Sequence, residues 1–200
     1  MTIMRGWGLT AAVALWIAAV SLGLLVQAGF SVEGVQAVIR FTARASFVLF
    51  CLAFSAAALY RLWPNAWTRW QRRNRRYFGV SFAASHFIHA LAIIAFARLD
   101  PVQFHAGTGL GMYVLGGLAY VFIALMTATS FDKTAAWLGP RAWRMLHLTG
   151  GYYISLSFLT GFGKRIPMDL LYALPVAVLL AIYVLRGASW AAARSSARTA

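Results

Sequence analysis

Residues 109–131 read GLGMYVLGGLAYVFIALMTATSF, with no charged side chain until Asp132 and Lys133 end the run. A helix needs about 20 mainly apolar residues to cross the hydrocarbon core of a bilayer. This stretch has that length. Lipid offers no partner to an unpaired backbone amide, so a helix, which pairs its amides internally, is the expected form. No strand-like alternation competes with it.

Five more apolar runs appear on working outward between charges: Trp7 to Phe30, Ala45 to Tyr60, Tyr77 to Ala97, Trp143 to Phe162 and Met168 to Leu185. Ala45 to Tyr60 is short and needs Phe41 to Arg44 to reach spanning length. The expected fold is all-α, a polytopic membrane protein forming a six-transmembrane-helix bundle. Composition agrees: 62% of residues are hydrophobic and 11% charged, against roughly 25% charged in soluble domains. Mean hydropathy is +0.72. Six spans and their loops use up the 200 residues and leave none for a second folded domain.

The net charge of +14 and the run Arg72, Arg73, Asn74, Arg75, Arg76 superficially suggest nucleic acid. Membrane proteins collect Lys and Arg in cytoplasmic segments, where these meet anionic lipid, and that excludes nucleic acid as the expected partner. With the N-terminus inside, the cytoplasmic side carries Arg5, six arginines from Arg61 to Arg76, Lys133, Arg141, Arg144, Arg186, Arg194 and Arg198. The other side carries only Arg40, Arg44, Arg98, Lys164 and Arg165. Both termini are therefore expected inside.

Between Arg61 and Arg76, Trp63, Trp67 and Trp70 alternate with arginines, the mixture expected of a segment at headgroup level. Residues 1–30 are expected to form an uncleaved first helix behind a short cytoplasmic N-terminus, because the apolar stretch exceeds a signal-peptide core. Residues 187–200 are expected to be a flexible cytoplasmic tail. Cys51 is the only cysteine, which rules out an internal disulfide and a cysteine-based metal site.

Ionisable groups inside a membrane are functional candidates by default. Here they are His86 and His89 in the third run and His147 in the fifth; the four acidic residues all lie at run ends or in loops. His86 and His89 are three apart and share a helix face. Neutral imidazole ligates metal and haem iron well, but buried histidines also bridge helices by hydrogen bonds. His105 lies in a short outer loop and is expected to be solvated. Gly150 and Gly151 after His147 would admit either a flat cofactor or a neighbouring helix, and Gly116 and Gly117 suit close helix packing.

Several short segments resemble the ferric reductase-like transmembrane family, and within it the haem-binding membrane subunits of bacterial methionine sulfoxide reductase systems. They are Arg40-Phe41-Thr42-Ala43-Arg44; Arg75-Arg76-Tyr77-Phe78-Gly79 with His89 ten residues on; Thr129-Ser130; and Leu138-Gly139 leading to Trp143-Arg144-Met145-Leu146-His147. The resemblance covers residues 40–185. It implies haem b, one or two groups, held between the third and fifth helices, with His86, His89 and His147 as axial ligand candidates. FMN or quinone would be further cofactor candidates. The family pattern has two histidines on each of these helices. This chain has Arg75 at the inner position of the third and Thr160 at the outer position of the fifth. At about 1.5 Å per residue His86 lies roughly 13 Å beyond Tyr77 and His147 roughly 6 Å beyond Trp143, so His86 could pair with His147 only under strain; otherwise one five-coordinate haem could sit on His89 or His147, or haem could have been lost.

The function implied is a membrane electron-transfer subunit, the membrane component of an oxidoreductase in the bacterial inner membrane. No Gly-rich dinucleotide motif follows a strand, so electrons would come from a separate flavin reductase or a quinol and leave to an extracytoplasmic redox partner. The alternative is a haem-free structural or assembly subunit of a membrane complex.

Overall fold

The computed structural model describes residues 6–198 and contains, among them, eight α-helices and no strand. They are α1 (Trp7–Gln27), α2 (Val32–Leu62), α3 (Ala66–Leu99), α4 (Pro101–Gly107), α5 (Leu110–Ala128), α6 (Asp132–Leu138), α7 (Pro140–Gly163) and α8 (Ala173–Arg198), with a short 3-10 turn at Leu170–Tyr172 before α8. Five of them, α1, α2, α3, α5 and α8, are long and apolar enough to cross a membrane. α7 is as long, but His147 and several Ser, Thr and Gly residues make it less apolar. Met1 to Arg5 of the expected cytoplasmic N-terminus and the last two residues of the expected tail lie outside the described residues.

Helix boundaries follow local chemistry. Ser31 caps α2 by accepting from the Gly34 amide at 3.3 Å. Asn65 and Thr68 form a reciprocal capping box that starts α3. Because that box starts α3 at Ala66, Trp67, Trp70 and the arginines from Arg69 onward form its opening turns, while Trp63 caps the end of α2. α3 has 34 residues, roughly 51 Å at about 1.5 Å per residue, well beyond a core of about 30 Å. The expected tail is also different: Gly187 to Arg198 continues α8 as helix. Alanines 188 and 191–193 favour it, and Arg61 ties it down by donating to the Ser189 carbonyl at 3.3 Å.

α2 is the hub, packed against α1, α3 and α8, while α7 lies between α5 and α8. Small polar side chains bring α2 and α3 close: Ser46 donates to Ser85 at 2.8 Å, and Ser85 to the Thr42 carbonyl at 3.2 Å. Such interhelical bonds and close approach replace the hydrophobic drive that lipid cannot supply. α3 and α7 meet through side chains, in a phenylalanine cluster of Phe47, Phe50, Phe82, Phe158 and Phe162 with ring centroids 5.2–6.2 Å apart. Gly150 lets α5 approach α7, because a Cβ there would meet Met126 Sδ at 2.5 Å. A Cβ on Gly116 or Gly117 would meet nothing within 4 Å, so no described helix packs closely on that pair.

Candidate functional site

Below the phenylalanine cluster, toward the arginine-rich end, a cavity of about 250 Å³ opens between α2, α3, α5, α6 and α7. Phe50, Phe54, Phe82, Ile123, Met126 and Ile154 form its apolar wall; His147, Trp143, Thr129, Arg75 and Arg76 supply its polar groups. Gly79 borders it, and a Cβ on Gly79 would meet nothing within 4 Å.

Neighbours on α5 and α7 fix the imidazole of His147. Its ring stacks on Trp143 with centroids 4.1 Å apart, and its Nε2 lies 3.1 Å from Thr129 Oγ1. Trp143 Nε1 donates to the Thr129 carbonyl at 2.9 Å, so one residue anchors both rings. The Thr129 hydroxyl also lies 2.7 Å from the Leu125 carbonyl. A hydroxyl has one hydrogen, so donating it to that carbonyl makes His147 Nε2–H the donor to Thr129 and leaves Nδ1 with the lone pair.

His86 and His89 stand together, ring centroids 5.3 Å apart, on α3 beside the phenylalanine cluster. His89 Nδ1 lies 2.9 Å from Thr42 Oγ1, whose hydrogen goes to the Val38 carbonyl at 2.7 Å. By the same count His89 donates from Nδ1 and keeps its lone pair on Nε2, the arrangement that second-shell partners impose on a ligand histidine. The buried Nδ1 of His86 has no hydrogen-bond partner. Tyr120 of α5 packs on that ring at 5.6 Å and bonds the His86 carbonyl at 3.4 Å.

The structure separates His147 from the α3 pair. Tyr120 beside His86 and Thr129 beside His147 are nine residues apart in the chain, roughly 13 Å of helix. Along α7, Phe158 contacts His86 and lies eleven residues from His147, roughly 16 Å. Two imidazoles on one metal ion, with bonds of about 2 Å, must bring their nitrogens within about 4 Å. His86 and His147 therefore do not fit as the two axial ligands of a single haem. Among the described residues no group of three or more His, Cys, Asp or Glu could hold a metal ion.

The inner cavity does offer features a haem requires: an imidazole on the wall, apolar sides and basic groups at one end. Its volume is just below the roughly 300–1,000 Å³ of small-molecule pockets, so flexible Met126 would have to move for a large ring to enter. A single haem here would have His147 as its one protein ligand candidate, through Nδ1, because Nε2–H is given to Thr129. His105 is on the exposed short helix α4, 3.4 Å from the Tyr113 hydroxyl, away from this site.

Two contributors are not visible as a motif. Asp132 pairs with Arg76 at 2.6 Å, tying α6 to α3 at the cavity; the hydrogen bond and charge of Arg76 hold its carboxyl below its ordinary range. Arg186 of α8 donates to the Phe54 carbonyl at 2.7 Å and lies 3.9 Å over the Phe54 ring. A lone arginine ending the last apolar run was its only signal. Comparison with family models, with curated proteins and with solved structures finds no match for this chain.

Proposed function

We propose that this chain is a six-span membrane subunit of the ferric reductase-like kind, with α7 as the sixth span and both termini cytoplasmic, that carries electrons through haem b. The observation that supports it is His147, an imidazole fixed by Trp143 and Thr129 on the wall of a mainly apolar cavity. His147 would hold the iron, and Phe82, Ile123, Met126 and Ile154 would keep water away. Bound there, haem b would supply a one-electron carrier whose potential is set by its ligand and apolar surroundings. His86 and His89 are ligand candidates for a separate, outer haem. The donor would be a separate flavin reductase or a quinol, the acceptor an extracytoplasmic redox partner, and FMN or quinone would be a further cofactor. The membrane in question would be a bacterial inner membrane.

A haem-free structural or assembly subunit is the second reading. It is favoured by the threonine partners that His89 and His147 already have, since bridging helices needs nothing more. Absorbance spectra of the purified full-length protein, oxidised and then dithionite-reduced, separate the two. Haem bands that vanish or shift in His147→Ala but survive His105→Ala support the haem subunit. A protein without haem bands after expression with ample haem supply refutes it.

A further inference from the structure

We propose that the inner cavity binds an anionic amphiphile, with its acid group on Arg75 and its apolar body along Phe82, Ile123, Met126 and Ile154. The charge balance at this end carries the inference. Of the four acidic residues in the chain, Glu33, Asp100 and Asp169 belong to the opposite end of the bundle, and Asp132 is taken by Arg76. No carboxylate pairs with Arg75 among the described residues, although Arg75 lines the cavity. Arg186 adds a second guanidinium behind Phe54, satisfied by the Phe54 carbonyl, the Tyr152 hydroxyl and both rings but by no anion among the described residues. A charge on the rim of a low-dielectric cavity favours an opposite charge, and a guanidinium forms bidentate bonds to carboxylate or phosphate. Phe50, Phe54, Phe82, Ile123, Met126 and Ile154 make most of the remaining wall apolar, which demands an apolar body on the same molecule.

Two sources share this chemistry: an acidic phospholipid, which basic pockets at this depth attract, and haem b, with its two carboxylate arms. The inference concerns the same cavity as the haem subunit but stands without haem, because the phospholipid alone would satisfy it.

The test is native mass spectrometry of the full-length protein in detergent. One arm compares phosphatidylglycerol with phosphatidylcholine of the same chains, and the other compares haem b with its dimethyl ester. In at least one arm the wild type should retain the acidic molecule about tenfold over its neutral counterpart, the scale of one charge-assisted hydrogen bond. The arm in which this happens names the source. Arg75→Gln should abolish the preference, and Arg73→Gln, on exposed helix outside the cavity, should keep it. Gly79→Leu fills the cavity without changing charge and should lower retention of the acidic molecule, so a folding defect in Arg75→Gln cannot by itself produce the result. Equal retention of acidic and neutral molecules in both arms, or equal loss in Arg73→Gln and Arg75→Gln, overturns the proposal.

Discussion

Thr42 and Thr129 play the same part on different helices: each gives its hydroxyl hydrogen to a carbonyl of its own turn and receives one from a histidine. Removing such an acceptor separates ligand from bridge. Thr42→Val should cost about 0.6 kcal/mol of thermal stability in detergent, the average for interhelical hydrogen bonds in membranes. If haem bands respond to it by a shift without loss of fold, His89 is a ligand oriented by Thr42; if they do not, His89 is a bridge. The Arg76–Asp132 pair is a second residue-scale case. Because the folded carboxyl titrates below its ordinary range, its stabilising effect is present at neutral pH and is lost as pH falls through that depressed value. Asp132→Asn should therefore lower the melting temperature slightly at pH 7, and by less at a pH below the ordinary carboxylate range. An equal difference at both pH values would mean that the pair does not matter. The histidines were legible in the sequence as ionisable groups within apolar runs. A mismatch in depth between His86 and His147 was legible too, from their unequal distances along their runs; that it rules out a shared iron was not, because that depends on where α5 and α7 lie against α3.

At the scale of elements, Gly139 carries the sharpest requirement. It joins α6 to α7 at φ 78° and ψ 159°, a region essentially confined to glycine. Gly139→Ala should cost about 1–3 kcal/mol, and by swinging α6 it should weaken the Arg76–Asp132 contact as well. Melting in detergent checks the first, and the loss of any further effect from Asp132→Asn in that background checks the second. Apolar runs located every long helix, since twenty residues of hydrocarbon length leave little choice. Their ends were misplaced where polar residues remain helical. Trp67 and the arginines of α3 carry on past the apolar run because the capping box at Asn65 and Thr68 sets the start, and a hydropathy pattern does not register a cap.

For the whole molecule, the topology turns on α7, less apolar than the five helices long and apolar enough to cross a bilayer. Its polar side chains are spent internally: Ser155 meets the Tyr183 hydroxyl at 2.7 Å, and Ser157 and Thr160 donate to the Tyr153 and Leu156 carbonyls at 3.0 Å. A hydroxyl bonded within its own helix adds little to the cost of burial in lipid. The neighbours of α7 are also matched in depth. Trp143 at its start reaches Thr129 at the end of α5, Tyr153 reaches the Leu115 carbonyl, and Phe162 packs on Tyr172 just before α8. With six spans, Lys164 and Arg165 lie outside and the C-terminus inside; with five and α7 left on the surface, the C-terminus would change sides. Alkaline phosphatase fused after Lys164 should therefore be active, and fused after Ala200 inactive, with a green fluorescent protein fusion at Ala200 bright. Strong phosphatase activity at Ala200 would remove α7 from the spans, and with it the intramembrane setting of His147 on which the haem site depends.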